Sequence, residues 1–421
     1  MTGNVNEWAV FSSLMTDSHF LGVHDLPDHV ARHAADLGLA DAHLYLADLQ
    51  QQKLVPFLPS GRPGASAHAT ALNVDSTLAG RAYQLVVTLT ASGDAAGHGS
   101  VDAGRGQGRM QVWVPLLNGT ERLGVLAVTM DSSDPVDRGT PTGDRLKLLA
   151  SIVAELIMTK TMYGDTVVRL RRLATMGLAA EIQWSLLPPL TFANTDISIA
   201  AALEPAYDVA GDSVDYAVDT GIARFAVFDG MGHELPSALL VSLVVAAYRN
   251  ARRTGQSLAS TLRHIDAAVT ASYQDVFATG VLAELDTTTG LLTWVSAGHP
   301  PPLLLRDGQH VKTLELQPEL PFGLGLPHGD VHVGSEHLQP GDHVLVYTDG
   351  VVEARSPEGE PFGEQRLTDL IRLHLAAGLP AAETMRRTVT ALLEHQGSDL
   401  SDDATMLLAQ WRPRDLARLL P

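Results

Sequence analysis

The fold turns on the segment Arg224-Phe-Ala-Val-Phe-Asp229-Gly-Met-Gly-His233. Apolar residues alternate along it up to Asp229, a glycine-flanked loop follows, and an apolar helical pattern begins at Pro236. That order spells a strand, a carboxylate at its end, a tight turn and a helix. Three other segments place an aspartate where a strand meets a loop: Ala210-Gly211-Asp212, Tyr347-Thr348-Asp349-Gly350 and Ser401-Asp402-Asp403-Ala404-Thr405. One Asp-Gly pair is usually only a turn. Four aspartates in matching contexts predict convergence on one metal site.

The residue type suits that chemistry. Aspartate is short and stiff, so at a strand terminus it aims its oxygens at a fixed spot, and hard cations such as Mg2+ or Mn2+ take oxygen ligands. Carboxylates at Asp212, Asp229, Asp349 and Asp402, without a nearby Lys or Arg, would repel one another and raise their own pKa values unless a cation lay among them. Gly230 lets a backbone carbonyl approach the ion with no side chain in the way. Two ions about 3.5–4 Å apart would bind a bridging water, lower its pKa and present hydroxide to a phosphorus in line with the leaving oxygen. No protein nucleophile is then required, which agrees with the lack of cysteine and of a Gly-x-Ser-x-Gly elbow.

The totals bound the alternatives. At 421 residues the chain exceeds one ordinary core, so two domains with a connector are expected. A net charge of −19 argues against a nucleic-acid surface, which needs concentrated Lys and Arg. Zero cysteines exclude disulfides, thiolate catalysis and thiolate metal sites. Met1 to Phe20 lacks the pattern of a secretory signal. The longest apolar stretch, Ser237 to Tyr248, falls short of the ~20 residues of a membrane span. A soluble cytoplasmic protein without a membrane partner is the expectation.

Residues 1–21 show no clear period and read as a loose arm or as the first helix of a dimer contact. A helix from Leu26 puts Val30, Ala34 and Leu37 on one face, with Pro27 in its first turn. Ala42 to Leu46 and Lys53 to Leu58 read as paired strands, 59–70 as a loop, Ser76 to Tyr83 as a helix and Leu85 to Leu89 as a strand. Ala91 to Gly108 reads as a long excursion. Gly104, Gly106 and Gly108 lie in it, but without the strand and helix a nucleotide loop requires. Gln111 to Leu117 and Leu123 to Met130 form a hairpin across Asn118-Gly119. A helix from Gly143 carries Leu146, Leu149, Ile152, Val153 and Leu156 at helical spacing, and its stripe continues through Tyr163, Leu170, Leu173 and Ile182 to Pro188-Pro189. A continuous helix over 143–187 is the expectation. Its spacing suits a parallel coiled coil that makes a homodimer, or a surface helix packed on its own domain. Such a helix would carry a signal from the first domain to the helices Ser237 to Tyr273.

From Ile197 the texture changes. Strands are expected at Ile197–Ala202, Ala223–Phe228, Gly280–Leu285, Leu291–Ser296, Pro302–Arg306, Val311–Leu316, His343–Tyr347 and Thr405–Gln410. Helices are expected at Ser237–Arg253, Leu258–Tyr273, Gln365–Ala376 and Ala381–His395. Many strands between two helical pairs predict an α+β fold, two sheets face to face with helices outside.

Two resemblances sharpen this reading. Ser-Thr-Leu-Ala-Gly-Arg-Ala-Tyr83 before a middle strand, with Trp113-Val-Pro-Leu-Leu and Leu123-Gly-Val-Leu-Ala-Val later, resembles a GAF sensory domain over 22–160. It implies a six-stranded antiparallel sheet flanked by helices and a small-molecule or protein input. Glu181-Ile-Gln-Trp-Ser-Leu-Leu-Pro-Pro, Ala210-Gly-Asp-Ser-Val-Asp215, Asp229-Gly-Met-Gly-His, Ala297-Gly-His-Pro-Pro-Pro, Tyr347-Thr-Asp-Gly-Val-Val-Glu353-Ala and Ser401-Asp-Asp-Ala-Thr together resemble the bacterial SpoIIE/RsbU-type phosphatases of the metal-dependent PPM superfamily. The domain plan is then an arm at 1–21, a GAF-like domain at 22–160, a helical linker at 161–189, a PPM-type antiparallel β-sandwich at 190–413 and a tail at 414–421.

The second resemblance implies a serine/threonine protein phosphatase with two Mn2+ or Mg2+ ions. Its implied substrate is a phosphorylated STAS-type anti-sigma-factor antagonist, which places the chain in sigma-factor regulation and stress response. Carried over by position, Asp229 bridges both ions, Gly230 lends its carbonyl, Asp349 and Asp402 hold one ion, and Asp212 serves the other. Asp215, Asp403, His299 and Glu353 fall at supporting positions. The chain departs from the family's pattern at Glu234, where glycine is usual, and at Ala210, where a glycine pair is usual. The reading from a different class is a non-catalytic signalling protein whose phosphatase-like fold only binds a partner.

Overall fold

The alternating apolar stretches fold as strands in antiparallel sheets, and the 3.6-period stretches fold as helices laid on them. The computed structural model describes residues 7–58, 70–92, 108–137, 139–208, 211–306, 309–325, 330–397 and 402–412. Ala210, Ser401, the loop before Thr70, Gly104, Gly106 and the 414–421 tail lie outside the described residues. The chain divides into two units, Met1–Ala174 and Thr175–Pro421.

The first unit comprises α1 (Glu7–Asp17), α2 (Leu26–Asp36), β1 (Ala40–Ala47), β2 (Lys53–Phe57), β3 (Leu72–Asn73), α3 (Leu78–Leu85), β4 (Leu89–Ser92), β5 (Arg109–Asn118), β6 (Glu121–Asp131), α4 (Pro141–Thr161) and α5 (Thr166–Leu170). Its six strands form one sheet in the order β3-β2-β1-β6-β5-β4, with every observed pairing antiparallel. Leu44, Leu46, Val112, Val114, Leu126 and Val128 pack against α1, α2 and α4, whereas Tyr45, Trp113, Val125 and Ala127 pack against α3. This is the period-two division of a sheet covered on both faces.

Three expectations change here. Residues 7–17 are not a free arm: Phe11 and Leu14 of α1 are buried in the core of this unit. The strand expected at Leu85–Leu89 is the end of α3 and a left-handed turn at Val86, and the strand starts at Leu89. The helix expected over 143–187 is three helices, α4, α5 and α6 (Leu178–Leu186), interrupted at 162–165 and 171–177, where Gly164 and Gly177 fall. The apolar stripe that suggested one dimerising coiled coil is therefore not carried by one rod.

The second unit continues with β7 (Thr191–Ala193), β8 (Ile197–Glu204), β9 (Asp212–Asp219), β10 (Ile222–Gly230), α7 (Glu234–Arg253), α8 (Leu258–Ser272), β11 (Ala278–Asp286), β12 (Leu291–Ala297), β13 (Leu303–Arg306), β14 (Gln309–Thr313), β15 (Gly334–His337), β16 (His343–Tyr347), α9 (Asp349–Glu353), α10 (Glu364–Ala376), α11 (Ala381–Gln396) and β17 (Ala404–Trp411). Two antiparallel sheets, β15-β12-β11-β10-β9 and β14-β13-β16-β17-β8-β7, enclose a core that includes Phe225, Val227, Val281, Ala283, Val344, Val346, Leu407 and Ala409. The outer face of the first sheet, with Ala226 and Phe228, packs on α7 and α8. The outer face of the second, with Leu345, Met406 and Leu408, packs on α10 and α11. The antiparallel sandwich with flanking helix pairs is thus as expected.

Two local features set the position of α7. Asp215 is buried on β9 and meets Arg249 Nη2 at 2.7 Å and Arg252 Nη1 at 2.9 Å. Arg249 also donates to the Leu186 carbonyl at the end of α6. At the other end, Glu234 opens α7 with φ of 61°, in the left-handed region that disfavours a side chain. The glycine usual at this place in the resembling family would bear no such strain.

Removing the Asp215 carboxylate strands two arginines, so Asp215→Ala should cost the second unit about 3 kcal/mol. This would be read as a drop of roughly 6–12 °C in its melting transition. Glu234→Gly should move the same transition the other way, adding about 1 kcal/mol, whereas Glu234→Val should lower it.

Candidate active site

The inner faces of the two sheets end in polar residues at one edge of the sandwich. Along β10 the inward positions run Phe225, Val227, Asp229; along β9 they run Val214, Asp212; along β11 they run Val281, Thr279. In the other sheet Val344 and Val346 lead to Thr348, and Leu407 leads to Thr405 and Asp403. Period-two alternation carries the apolar core directly into this polar rim. Asp229 lies opposite Asp212 on one side and opposite Thr279 on the other, so the three form a row across three strands.

Hydrogen bonds tie the two sheets together here. Thr348 Oγ1 donates to Asp212 Oδ2 at 2.7 Å and accepts from the Thr405 N–H at 2.9 Å. The Gly211 N–H donates to Asp403 Oδ2 at 2.6 Å, and the Gly230 N–H donates to the Gly211 carbonyl at 2.8 Å. The Gly230 carbonyl accepts from the buried Ser237 hydroxyl of α7 at 2.8 Å. A Cβ on Gly230 would lie 2.5 Å from a Val241 methyl, so the packing of α7 requires glycine there. A Cβ on Gly350 would lie 2.0 Å from the Asp403 carbonyl oxygen, so α9 meets the approach to β17 too closely for any side chain.

The carboxylates act on one another. Burial, then the charges of Asp229 and Asp403, push Asp212 well above the usual carboxylate range. Burial, then Asp349, Asp402 and Asp403, push Asp229 up to about 7. Burial, then Glu353 and Asp402, raise Asp349. Asp212, Asp229, Asp349, Asp402, Asp403 and Glu353 therefore share one field, with Asp212 buried and Asp349 and Asp402 at the surface. No three of them, among the described residues, are close enough as they stand to grip an ion. The fit to a cation rests on their chemistry instead: oxygen donors only, with ionisation of Asp212, Asp229 and Asp349 held back by burial and then by neighbouring carboxylates, the condition a divalent ion relieves.

Two expected supporting residues stand elsewhere. Asp215 lies three residues from Asp212, so it points to the opposite face of β9 and serves the α7 arginines. His299 is buried and one step removed, with Nδ1 2.8 Å from Thr279 Oγ1. Sequence reasoning missed Thr279, Thr348 and Ser237. The signal for the threonines was present, because each ends an inward-facing apolar series. His233 and Glu234 take no part in the row: both side chains are exposed.

Residues 219–412 match the family described as Stage II sporulation protein E (SpoIIE). Phosphoserine phosphatase RsbU of Bacillus subtilis is 26% identical over 234 residues, 55% of this chain and 68% of the relative. Phosphoserine phosphatase RsbP of the same organism is 25% identical over 244 residues, 55% of this chain and 57% of the relative. Among solved structures, the SiaA-PP2C domain of Pseudomonas aeruginosa is 25% identical with a TM-score of 0.47, covering 55% of this chain and 94% of that one. The motifs and the family match fall on the same part of the chain, and residues 219–412 are similar to the SpoIIE family.

Proposed function

We propose that the chain is a metal-dependent protein-serine/threonine phosphatase that removes phosphate from a regulatory protein, with input through its first unit. The observation that carries this reading is the gathering of carboxylates at the sandwich edge, where burial and then their mutual repulsion hold back the ionisation of Asp212, Asp229 and Asp349. Two Mn2+ or Mg2+ ions fit that donor set. Asp229 would hold both ions, Gly230 would lend its carbonyl, Asp349 and Asp402 would hold one of them and Asp212 the other. When bound, such ions supply charge neutralisation at phosphorus and a water of lowered pKa.

The chain's own residues do the holding. Thr348 fixes one oxygen of Asp212, and Asp403 fixes the Gly211 backbone beside Asp229. Ser237 ties the Gly230 carbonyl to α7, so the position of that helix governs where the carbonyl points. The likeness to the phosphoserine phosphatases RsbU and RsbP favours phosphoserine as substrate. A STAS-type anti-sigma-factor antagonist is the protein class the sequence resemblance points to. A sensory role for the first unit is supported by its six-stranded antiparallel sheet and by a cavity of about 670 Å3 lined by Val87, Leu89, Val114, Leu117 and Lys147, a size suited to a small molecule. Among the described residues no helix is long and apolar enough to cross a membrane.

Purified full chain with Mn2+ should release phosphate from a phosphoserine STAS-type protein. Chelator should abolish this, and Asp229→Asn or Asp349→Ala should lower kcat by about 10^3-fold or more. Absence of release under excess Mn2+, with binding of the phosphoprotein retained, would favour the non-catalytic reading.

A second outcome concerns stability alone. A carboxyl whose folded pKa lies above its unfolded value holds its proton more tightly when folded, so stability is present at low pH and falls as pH rises through the folded value. For Asp229 that window runs from 3.8 up to about 7. Metal-free protein should therefore melt lower at pH 8 than at pH 5, and Mn2+ should reverse the loss. Asp229→Asn should flatten the pH dependence and remove most of the Mn2+ increment, as read by a thermal scan.

A further inference from the structure

The third member of the row, Thr279, has no counterpart among the carboxylate roles. It sits directly opposite Asp229 on β11 with its side chain on the same inner face, so the two side chains are nearest neighbours across the strands. Asp212 occupies the equivalent place on β9. Both flanking residues are pinned from outside the row, Asp212 by the Thr348 hydroxyl and Thr279 by His299 Nδ1. The pinning groups do opposite things, and the difference gives Thr279 a task.

Thr348 presents a proton to Asp212. The His299 ring, 6% exposed, is held by a turn at Gly298 whose φ is 65°. Pro321 packs so close to Gly298 that a Cβ there would meet its ring at 2.8 Å. The His299 carbonyl accepts from Ser296 Oγ at 3.2 Å, fixing the main chain beside the ring. Burial pulls the imidazole down to about 4, so near neutral pH it carries one ring proton. Nδ1 is engaged by Thr279, and the Tyr347 backbone acts on the ring in the direction that favours a bound proton. No well-formed hydrogen bond is made at Nε2. With the ring proton assigned to Nε2, Nδ1 is left as an acceptor. Thr279 must then donate its only proton to Nδ1. Its hydroxyl oxygen turns towards Asp229 with lone pairs alone.

A hydroxyl so constrained cannot cap a carboxylate, but it can accept a proton from water. We propose that Thr279 Oγ1 is the acceptor that orients the attacking water beside Asp229, and that His299 is the positioning residue that keeps this hydroxyl an acceptor; the assignment rests on the phosphatase reading above. Fixing one O–H of the water on Thr279 turns a lone pair of its oxygen away from the row, towards the bound phosphate ester. No bond to Thr279 forms or breaks. The proton stays on the water until the water oxygen bonds phosphorus and then leaves to solvent, while the P–O bond to the ester oxygen breaks, that oxygen departing with the electron pair and taking a proton from solvent.

The test is steady-state hydrolysis of para-nitrophenyl phosphate by the full chain across a Mn2+ titration. Thr279→Val keeps the β-branched shape and removes the acceptor, and should lower kcat by about 30-fold or more, with KM and the Mn2+ midpoint within about twofold. Thr279→Ser should retain kcat to within about threefold of wild type. His299→Leu should fall by a factor similar to that of Thr279→Val, and the double variant should be no worse than either alone, because the two act as one unit. His299→Asn, whose Oδ1 can take the place of Nδ1 as acceptor, should recover part of the loss. Wild-type kcat in Thr279→Val overturns the assignment. So does a Mn2+ midpoint moved about tenfold with kcat unchanged, which would make Thr279 a metal-site residue. Wild-type protein that gains thermal stability from Mn2+ yet hydrolyses no ester would overturn the phosphatase reading, and the Thr279 role with it.

Discussion

Two aspartates face each other across neighbouring strands, Asp212 on β9 and Asp229 on β10. Like charges directly opposite one another weaken a sheet, and here the pair is joined by Asp349, Asp402 and Asp403 from the other sheet. Much of the surrounding structure can be understood as containing this repulsion. Thr348 and the Gly211 N–H each bind one of the acidic side chains across the seam. The two cores of apolar residues outside the sheets anchor the helix pairs that keep the sheets in register. The buried Asp215 with its two arginines holds α7 against β9 on the face away from the charge. A sandwich of this kind is stable in spite of its edge, and the edge is where it can do chemistry.

Much of the second unit was legible from residue order because its strands alternate strictly and its helices carry wide apolar stripes. All eight strands and all four helices expected there are present, with ends shifted by a few residues. The strand β9 escaped detection because Asp212-Ser-Val-Asp-Tyr-Ala-Val-Asp219 is acidic on its outward face, where partners on α7 compensate charges that look unfavourable in isolation. The short helix α9 escaped because Asp349-Gly-Val-Val-Glu353 is too brief to show a helical period. In the first unit the error was of the opposite kind. The apolar spacing from Leu146 to Ile182 fits one helix well, and only the flexibility of Gly164 and Gly177 against the packing of each piece divides it. The aspartates were legible as a set, whereas Thr348 and Thr279, though each ends an inward-facing apolar series, gave up their partners Asp212 and His299 only once the facing segments were in place.

His299 and Ser237 show how little separates a structural residue from a functional one in this fold. Each is buried, each makes one well-formed side-chain hydrogen bond, and each reaches the carboxylate row through a single intermediary, Thr279 or the Gly230 carbonyl. The row itself is contributed by strand ends that cannot move without disturbing the inter-sheet core. Adjustment is therefore left to the groups one bond further out, on α7 and in the Gly298 turn.

The order of the strands has a consequence for how the protein comes into being. The last of the described strands, β17, lies in the middle of its sheet, between β8 from the start of the unit and β16. The approach to β17 supplies Asp402 and Asp403, and its Thr405 N–H binds Thr348. During synthesis the first unit and the sheet β15-β12-β11-β10-β9 can form while the second sheet still has an open slot with unpaired edges on both sides. The nascent chain thus remains without its complete acidic row until β17 is inserted, so that assembly of the site coincides with closure of the sheet.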